Sequence, residues 1–198
     1  MELLGVITEN AMVAAFLKGE IDSKRWGDSI AAILWADGLD RSIIDAPNLS
    51  NESENNYRNS VLSRYRGYPE ALLFEGFPRD MKWERATLGR RDIEELKYIR
   101  HPDWISDSGG SRLLKDAANR IASGMAKSPN AYLIVQAAQG FDAQKLRSEP
   151  ILVALRPCDE RIILEGHVRL TAYLLANSGT PVQTIVGYSV SLVHWKFY

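Results

Sequence analysis

The chain has 198 residues and a formal net charge of −1, with 45% apolar and 25% charged residues, the balance of a globular protein that can bury one substantial core. A near-neutral chain offers no global basic field to hold a polyanion, so nucleic-acid binding would require a local patch. The single Cys158 excludes an internal disulfide and a cysteine-rich zinc site, no run approaches the roughly 20 apolar residues of a bilayer span, and no secretory leader pattern opens the chain, so a cytoplasmic setting without membrane partners is expected.

Thr8 stands where an N-cap belongs, ahead of Met12, Val13, Phe16 and Leu17 at helical spacing, which predicts a short amphipathic helix over 8–18. After Gly19, Asp22 or Ser23 caps a second helix with Trp26, Ile30, Ile33 and Leu34 on its buried face and Gly38 as its stop. The two suggest an αα-hairpin. Residues 46–56 form a turn-rich loop from which Ser50 or Asn51 starts a third helix, through Tyr57, Val61, Leu62 and Tyr65 to Arg66. No chemistry-bearing pattern stands out in these first seventy residues, because aromatic residues at helical spacing read as core.

Gly67, Pro69, Gly76 and Pro78 bracket one short apolar strand at 71–74 and mark the expected boundary between an N-terminal helical extension, 1–70, and a second unit, 71–198. Alternation predicts a strand at 82–88, and Ile93 and Leu96 a helix over 90–99. Arg90 and Arg91, interleaved with Asp92, Glu94 and Glu95, read as a solvated helix start. His101-Pro102-Asp103-Trp104 sets an imidazole near a carboxylate, but without a third ligand at suitable spacing it reads as a turn with Trp104 packed inward. The segment from Ser106 to Arg112 contains Gly109-Gly110 and leads into an amphipathic helix with Leu113, Leu114, Ala117, Ala118 and Ile121. It lacks the Gly-Lys-Ser/Thr ending of a P-loop. Its N–H groups, with Arg112 or Lys115 as counter-charge, are nonetheless a candidate second phosphate contact; capping by Ser108 or Ser111 explains the same residues. Residues 131–138 are apolar throughout and read equally as strand or helix, and 140–148 as a polar loop or helical turn.

Two β-rich runs, 151–155 and 161–164, flank the turn residues Pro157-Cys158-Asp159-Glu160 and should pair as an antiparallel hairpin. A helix over 166–177 follows, apolar on more than one face, stopped by Ser178-Gly179 and Pro181. A strand at 182–186 and a further one over 190–197 complete a small mixed sheet, so the expected class is α+β.

The junction inside this unit carries the chemistry. A β-branched run reaches Glu165-Gly166-His167-Val168-Arg169, where the apolar period changes from strand to helix. Helix beginnings leave N–H groups unpaired and carry partial positive charge, so anions settle there. Gly166 allows close approach of a ligand, and Arg169, with its side chain leaning toward the helix N-terminus, reaches back over the opening. Glu165 at the rim is a candidate general base or magnesium contact, with a structural ion pair to Arg169 as the alternative. His167 is a candidate phosphate donor.

Glu165-Gly166-His167-Val168-Arg169, with the apolar strand before it and Leu170, Ala172 and Tyr173 after it, resembles the Gly-x-x-Arg box of the ParB/sulfiredoxin superfamily. The resemblance implies a ParB/sulfiredoxin-like α+β domain, a small mixed sheet with packed helices, beside the N-terminal helical extension. It also implies phosphate or nucleotide binding by Gly166, His167, Val168 and Arg169, with ATP or ADP, or CTP, and Mg²⁺ as ligands. The reactive cysteine of sulfiredoxins is missing from the box, so sulfinic-acid reduction is not expected. The residues after Asn177 leave no room for the DNA-binding domain of partition proteins, so a DNA partner is not expected either. The box is most similar to that of ADP-dependent free serine kinase, which implies a hydroxyl-activating role for Glu165. Two functions stay open: a phosphotransferase or nucleotide hydrolase acting on a nucleotide or phosphorylated small molecule, and a non-catalytic nucleotide-sensing module whose N-terminal helices meet a protein partner.

Overall fold

A computed structural model describes residues 1–143 and 146–198. It is α+β: among the described residues, nine α-helices pack on one six-stranded mixed sheet of order β1-β2-β6-β4-β5-β3. Gln144 and Lys145, part of the polar loop expected over 140–148, lie outside the described residues. No helix among those described is long and apolar enough to cross a membrane.

The chain opens with strand β1 (Glu2–Ile7), which the sequence reading did not anticipate and which forms one edge of the sheet against β2 (Lys82–Leu88). Its side chains are mostly exposed, Val6 by 82%, so no alternation of buried and solvent faces announces it. Helices α1 (Glu9–Glu20), α2 (Gly27–Ala36), the short α3 (Ser42–Asp45) and α4 (Glu52–Arg66) follow. The expected caps hold at two of them: the Ala11 N–H donates to Thr8 Oγ1, 3.2 Å, and the Glu54 N–H to Asn51 Oδ1, 3.2 Å. At α2 the Ser23 Oγ instead accepts from the Trp26 N–H in the turn before the helix.

Three expected elements take another form. The strand expected at 71–74 is a 3-10 turn, Leu72–Phe74. The Ala71 N–H donates to the Gly67 carbonyl, 2.7 Å, and Phe74 packs edge-on against Tyr68 and Phe77; the apolar run serves aromatic packing and has no neighbouring strand. The helix expected over 90–99 stops early, as α5 (Arg90–Glu94), because the chain turns into strand β3 (Lys97–Tyr98), where the Lys97 N–H donates to the Arg161 carbonyl. The last expected strand, 190–197, is a 3-10 helix, Val190–His194, opened by Ser189 Oγ accepting from the Ser191 N–H, with Trp195 turned inward.

The expected turn at 101–104 is the start of α6 (Pro102–Asp107), with His101 as N-cap, Pro102 in the first turn and Trp104 buried. Helices α7 (Leu114–Ala122) and α8 (Pro129–Ala138) complete the middle of the chain. For α8, the Ala131 N–H donates to Ser128 Oγ and Pro129 stands at the helix start, which settles 131–138 as helical.

Strands β4 (Ile151–Ala154) and β5 (Ile162–Glu165) pair antiparallel as expected, and every residue in both is buried. Total burial places them at the centre, covered on both faces. On leaving β5 the chain forms α9 (His167–Leu175), which packs on α5, α7 and α8, and then β6 (Val182–Tyr188), parallel to β4 and antiparallel to β2. Helix α1 packs on α3, α4 and the inner strand β4. The N-terminal helices thus share one apolar core with the sheet, and they reach the end of β5.

Candidate functional site

The β5–α9 junction is built by one glycine. Gly166 has φ +98°, the left-handed region, and an added Cβ would meet Pro150 Cβ at 2.8 Å, so neither the backbone nor the space tolerates a side chain there. Its carbonyl accepts from the Leu170 N–H, 2.9 Å, which starts α9, and no side chain caps the helix. An uncapped N-terminus leaves its first N–H groups available to an acceptor.

Four residues separate Glu165 from Arg169, one helical turn across the junction, and the two form an ion pair. Arg169 is held in place by Ser148: Nη1 donates to the Ser148 carbonyl, 2.8 Å, and to its Oγ, 2.7 Å. The guanidinium therefore turns back over the start of α9 rather than out to solvent. The Glu165 carboxyl is 8% exposed; burial pushes its pKa up, against the pull of Arg169 and Arg66.

Helix α1 closes on this pair through Gly19. A Cβ at that position would lie 2.9 Å from Arg169 Nη2, from Glu165 Oε2 and from Ser148 Oγ. Next to it, Glu20 continues the buried row Val13, Phe16 and Leu17 and is itself 6% exposed. Burial and the neighbouring Glu165 charge push its carboxyl up to about 7, although Arg66 pulls the other way. Arg66, the last residue of α4, lies over the Trp26 ring at 4.5 Å, and its Nε stands 3.6 Å from Glu20 Oε2, too far for a hydrogen bond.

His167 forms the opposite wall. Its ring stacks on Trp104 with centroids 5.1 Å apart and planes within 9°, and Trp104 stacks in turn on Tyr98 at 4.6 Å. Burial lowers the His167 pKa to about 3, helped by the charges of Arg66 and Arg25 and opposed by the Ile163 carbonyl. The ring is neutral in ordinary buffers, and its Nε2 is buried without a hydrogen-bond partner.

These groups line one cavity of about 770 Å³, walled by α1, the α1–α2 turn, the end of α4, α8 and the β5–α9 junction. Among the described residues, six cationic side chains line it against three acidic ones, so its field favours an anion. Among its lining residues, Glu20 Oε2 and Arg66 Nε face each other as an ion pair at 3.6 Å without a hydrogen bond, and His167 Nε2 has no hydrogen-bond partner in the protein. A charged pair held beyond hydrogen-bond distance and an unpartnered ring nitrogen leave hydrogen-bonding capacity among the lining residues for a bound group to take up. No set of three acidic, histidine or cysteine side chains suited to a metal ion occurs among the described residues.

The structure brings Glu165, Gly166, His167, Val168 and Arg169 together on the cavity wall. Arg112 is not part of that wall: its Nε donates to the Tyr98 carbonyl, 2.9 Å, and its Nη1 to the Tyr198 carbonyl, 3.5 Å, so the side chain ties main-chain segments together. The loop around Gly109-Gly110 uses Ser108 Oγ to accept from the Arg112 N–H. Sequence reading missed the contributions of Gly19, Glu20, Arg25 and Arg66. One signal was present: Glu20 sits on the apolar stripe of α1, where a carboxyl costs energy unless it has a task.

Comparison with protein-family models, with curated proteins and with solved structures finds no match in any of the three.

Proposed function

We propose that the cavity binds a phosphate-bearing small molecule, with a nucleotide as the leading candidate, and that the β5–α9 junction supports phosphoryl transfer or nucleotide hydrolysis. The observation that carries this reading is the excess of cationic side chains, four of them arginines, on a cavity that includes the uncapped start of α9. The uncapped start of α9, Arg169 and Arg66 are the phosphate contacts. An oxyanion suits guanidinium geometry, and Arg169 is already oriented by Ser148. Trp104 and His167, stacked on each other, give the cavity an aromatic flank beside the rest of such a ligand. ATP or ADP, with CTP as an alternative, fits these two kinds of wall, and Glu165 would be the carboxylate to contact the Mg²⁺ of a nucleotide complex where it does not serve as base. The motif that resembles ParB/sulfiredoxin boxes lies at this junction, and that placement supports the reading.

For transfer to a hydroxyl, Glu165 takes the hydroxyl proton as the new O–P bond forms and the O–P bond to the rest of the nucleotide breaks, and the shortened nucleotide leaves with that electron pair. Glu165 is freed for this when the incoming phosphate replaces it as the partner of Arg169. A second reading, a non-catalytic sensor, draws on a specific observation: α1 and α4 supply part of the wall. Anion binding would then tighten the N-terminal helices against the sheet and present a changed surface to a protein partner.

Thermal unfolding with ATP, ADP, CTP and GTP, each with and without Mg²⁺, tests the ligand. Binding at a hundredfold excess over Kd stabilises the folded state by about 2.7 kcal/mol, and no shift with any of them or with inorganic phosphate sinks the proposal. Turnover separates the two readings. In the enzyme, Glu165→Gln retains binding and loses turnover; binding without turnover in the wild type supports the sensor.

A further inference from the structure

Two carboxyl groups reach this cavity from distant parts of the chain, Glu165 at the end of β5 and Glu20 in the last turn of α1. They are coupled: Gly19, the residue before Glu20, comes so close to Glu165 that an added Cβ would stand 2.9 Å from its Oε2, and the Glu165 charge raises the Glu20 pKa. Their partners differ. Glu165 is ion-paired with Arg169 through a hydrogen bond, whereas Glu20 Oε2 faces Arg66 Nε at 3.6 Å without one, and Arg66 lies over the Trp26 ring beside it. The groups facing Glu20 are Arg66 and Tyr65 from α4, Arg25 from the α1–α2 turn and Glu165 from β5, with Arg169 of α9 behind Glu165. An anion entering this space adds negative charge beside two buried carboxyls. Like charges held together away from water do not all persist, and protonation of the least compensated one removes the conflict.

We propose that Glu20 is a ligand-binding residue that enters the complex as a neutral carboxylic acid and donates a hydrogen bond from Oε2 to a phosphate oxygen. The anion and one proton are then taken up together. The inference rests on the phosphate reading above. One proton passes from solvent to the Glu20 carboxylate as the anion arrives, and no bond of the ligand breaks. A carboxyl that titrates near 7 in the free protein is already partly protonated there, so the added anion has only to complete the change. The same geometry makes Glu20 selective: its O–H needs an acceptor, so a ligand offering a bare cation or a donor at that point is disfavoured.

Isothermal calorimetry on the full chain, with metal-free sulfate as probe, tests this directly because sulfate itself does not titrate near neutrality. Titrations at about pH 8 in two buffers of different ionisation enthalpy should give uptake approaching ~1 proton per sulfate in the wild type and none in Glu20→Gln. Wild-type affinity should fall by up to about tenfold per pH unit above about pH 7, and Glu20→Gln should lose that dependence. Wild-type binding that takes up no proton overturns the inference, and so does equal uptake in Glu20→Gln, which would assign the proton elsewhere. Either result leaves the phosphate reading standing. Absence of binding by sulfate, phosphate and nucleotides alike removes both. Should Glu20→Gln fold poorly, Glu165→Gln decides the matter: proton uptake that persists there supports Glu20, and uptake that vanishes overturns the inference.

Discussion

Gly19 and Arg169 face each other so closely that a methyl group on the glycine would stand 2.9 Å from the arginine Nη2. A helix-disfavouring residue in the last turn of α1 thus makes room for the ion pair at the start of α9. Gly19→Ala should gain roughly 0.8–1 kcal/mol of helix propensity and lose a similar amount as the side-chain ends of Arg169 and Glu165 shift away. The expected result is a melting temperature within a few degrees of wild type, about 1 kcal/mol or less, with anion affinity reduced about 10- to 100-fold, the worth of one charge-assisted hydrogen bond. Differential scanning fluorimetry and calorimetry with inorganic phosphate read the two effects separately.

Arg169→Ala leaves the Glu165 carboxyl, 8% exposed, without its ion-pair partner. A buried charge stripped of its partner costs about 3–5 kcal/mol, and Arg66 nearby offsets some of this. A loss of roughly 2–4 kcal/mol in urea unfolding is expected. Adding Glu165→Gln to the same chain should recover at least about 1 kcal/mol, because the stranded charge is gone. Additive destabilisation in the double variant would show that the pair is not coupled.

Gly166 and Gly110 have nearly the same φ, +98° and +99°, but of the two Gly166 alone lacks space, with Pro150 Cβ 2.8 Å from an added methyl. Alanine at Gly110 should cost about 1–2 kcal/mol, the left-handed penalty alone. Alanine at Gly166 should cost at least about 1 kcal/mol more, because the proline ring cannot swing away as a flexible side-chain end would. Chemical denaturation of the two variants gives the difference, and equal losses would show that the Pro150 contact is unimportant.

Glu20 also predicts how stability depends on pH. Its folded pKa, about 7, lies above the ordinary value of 4.5, so the folded state holds this proton more tightly than the unfolded one. The stability it contributes is complete below about pH 4.5 and is lost as pH rises through about 7, up to about 3 kcal/mol in total. Glu20→Gln should therefore be more stable than wild type at about pH 8, with the advantage shrinking toward pH 5. Unfolding free energies at the two pH values check this, and a gap that does not change with pH removes Glu20 as its source.

The strand-to-helix junction at Gly166 could be read along the chain because its parts are local. Gly166 is needed where a strand must turn into a helix, and Arg169 lies one helical turn from Glu165. The caps at Thr8 and Asn51 were legible for the same reason, since each bonds an N–H three residues away. Strand β1 was not, because an edge strand with exposed side chains carries no buried face to give it a period. The run at 71–74 misled because apolar composition states that a segment is buried and leaves its backbone form open.

By itself, the sequence determined the strand-to-helix junction, the central β4–β5 hairpin and the α+β class, all of which follow from residues within a few positions of one another. Only the tertiary structure decided that Gly19, Glu20 and Arg66 share a cavity with Glu165 and His167, and that Arg112 holds main-chain carbonyls elsewhere. The physical reason is that burial, charge coupling and missing hydrogen bonds are properties of neighbours in space. About 145 positions of chain separate Glu20 from Glu165, and no periodicity spans such a distance.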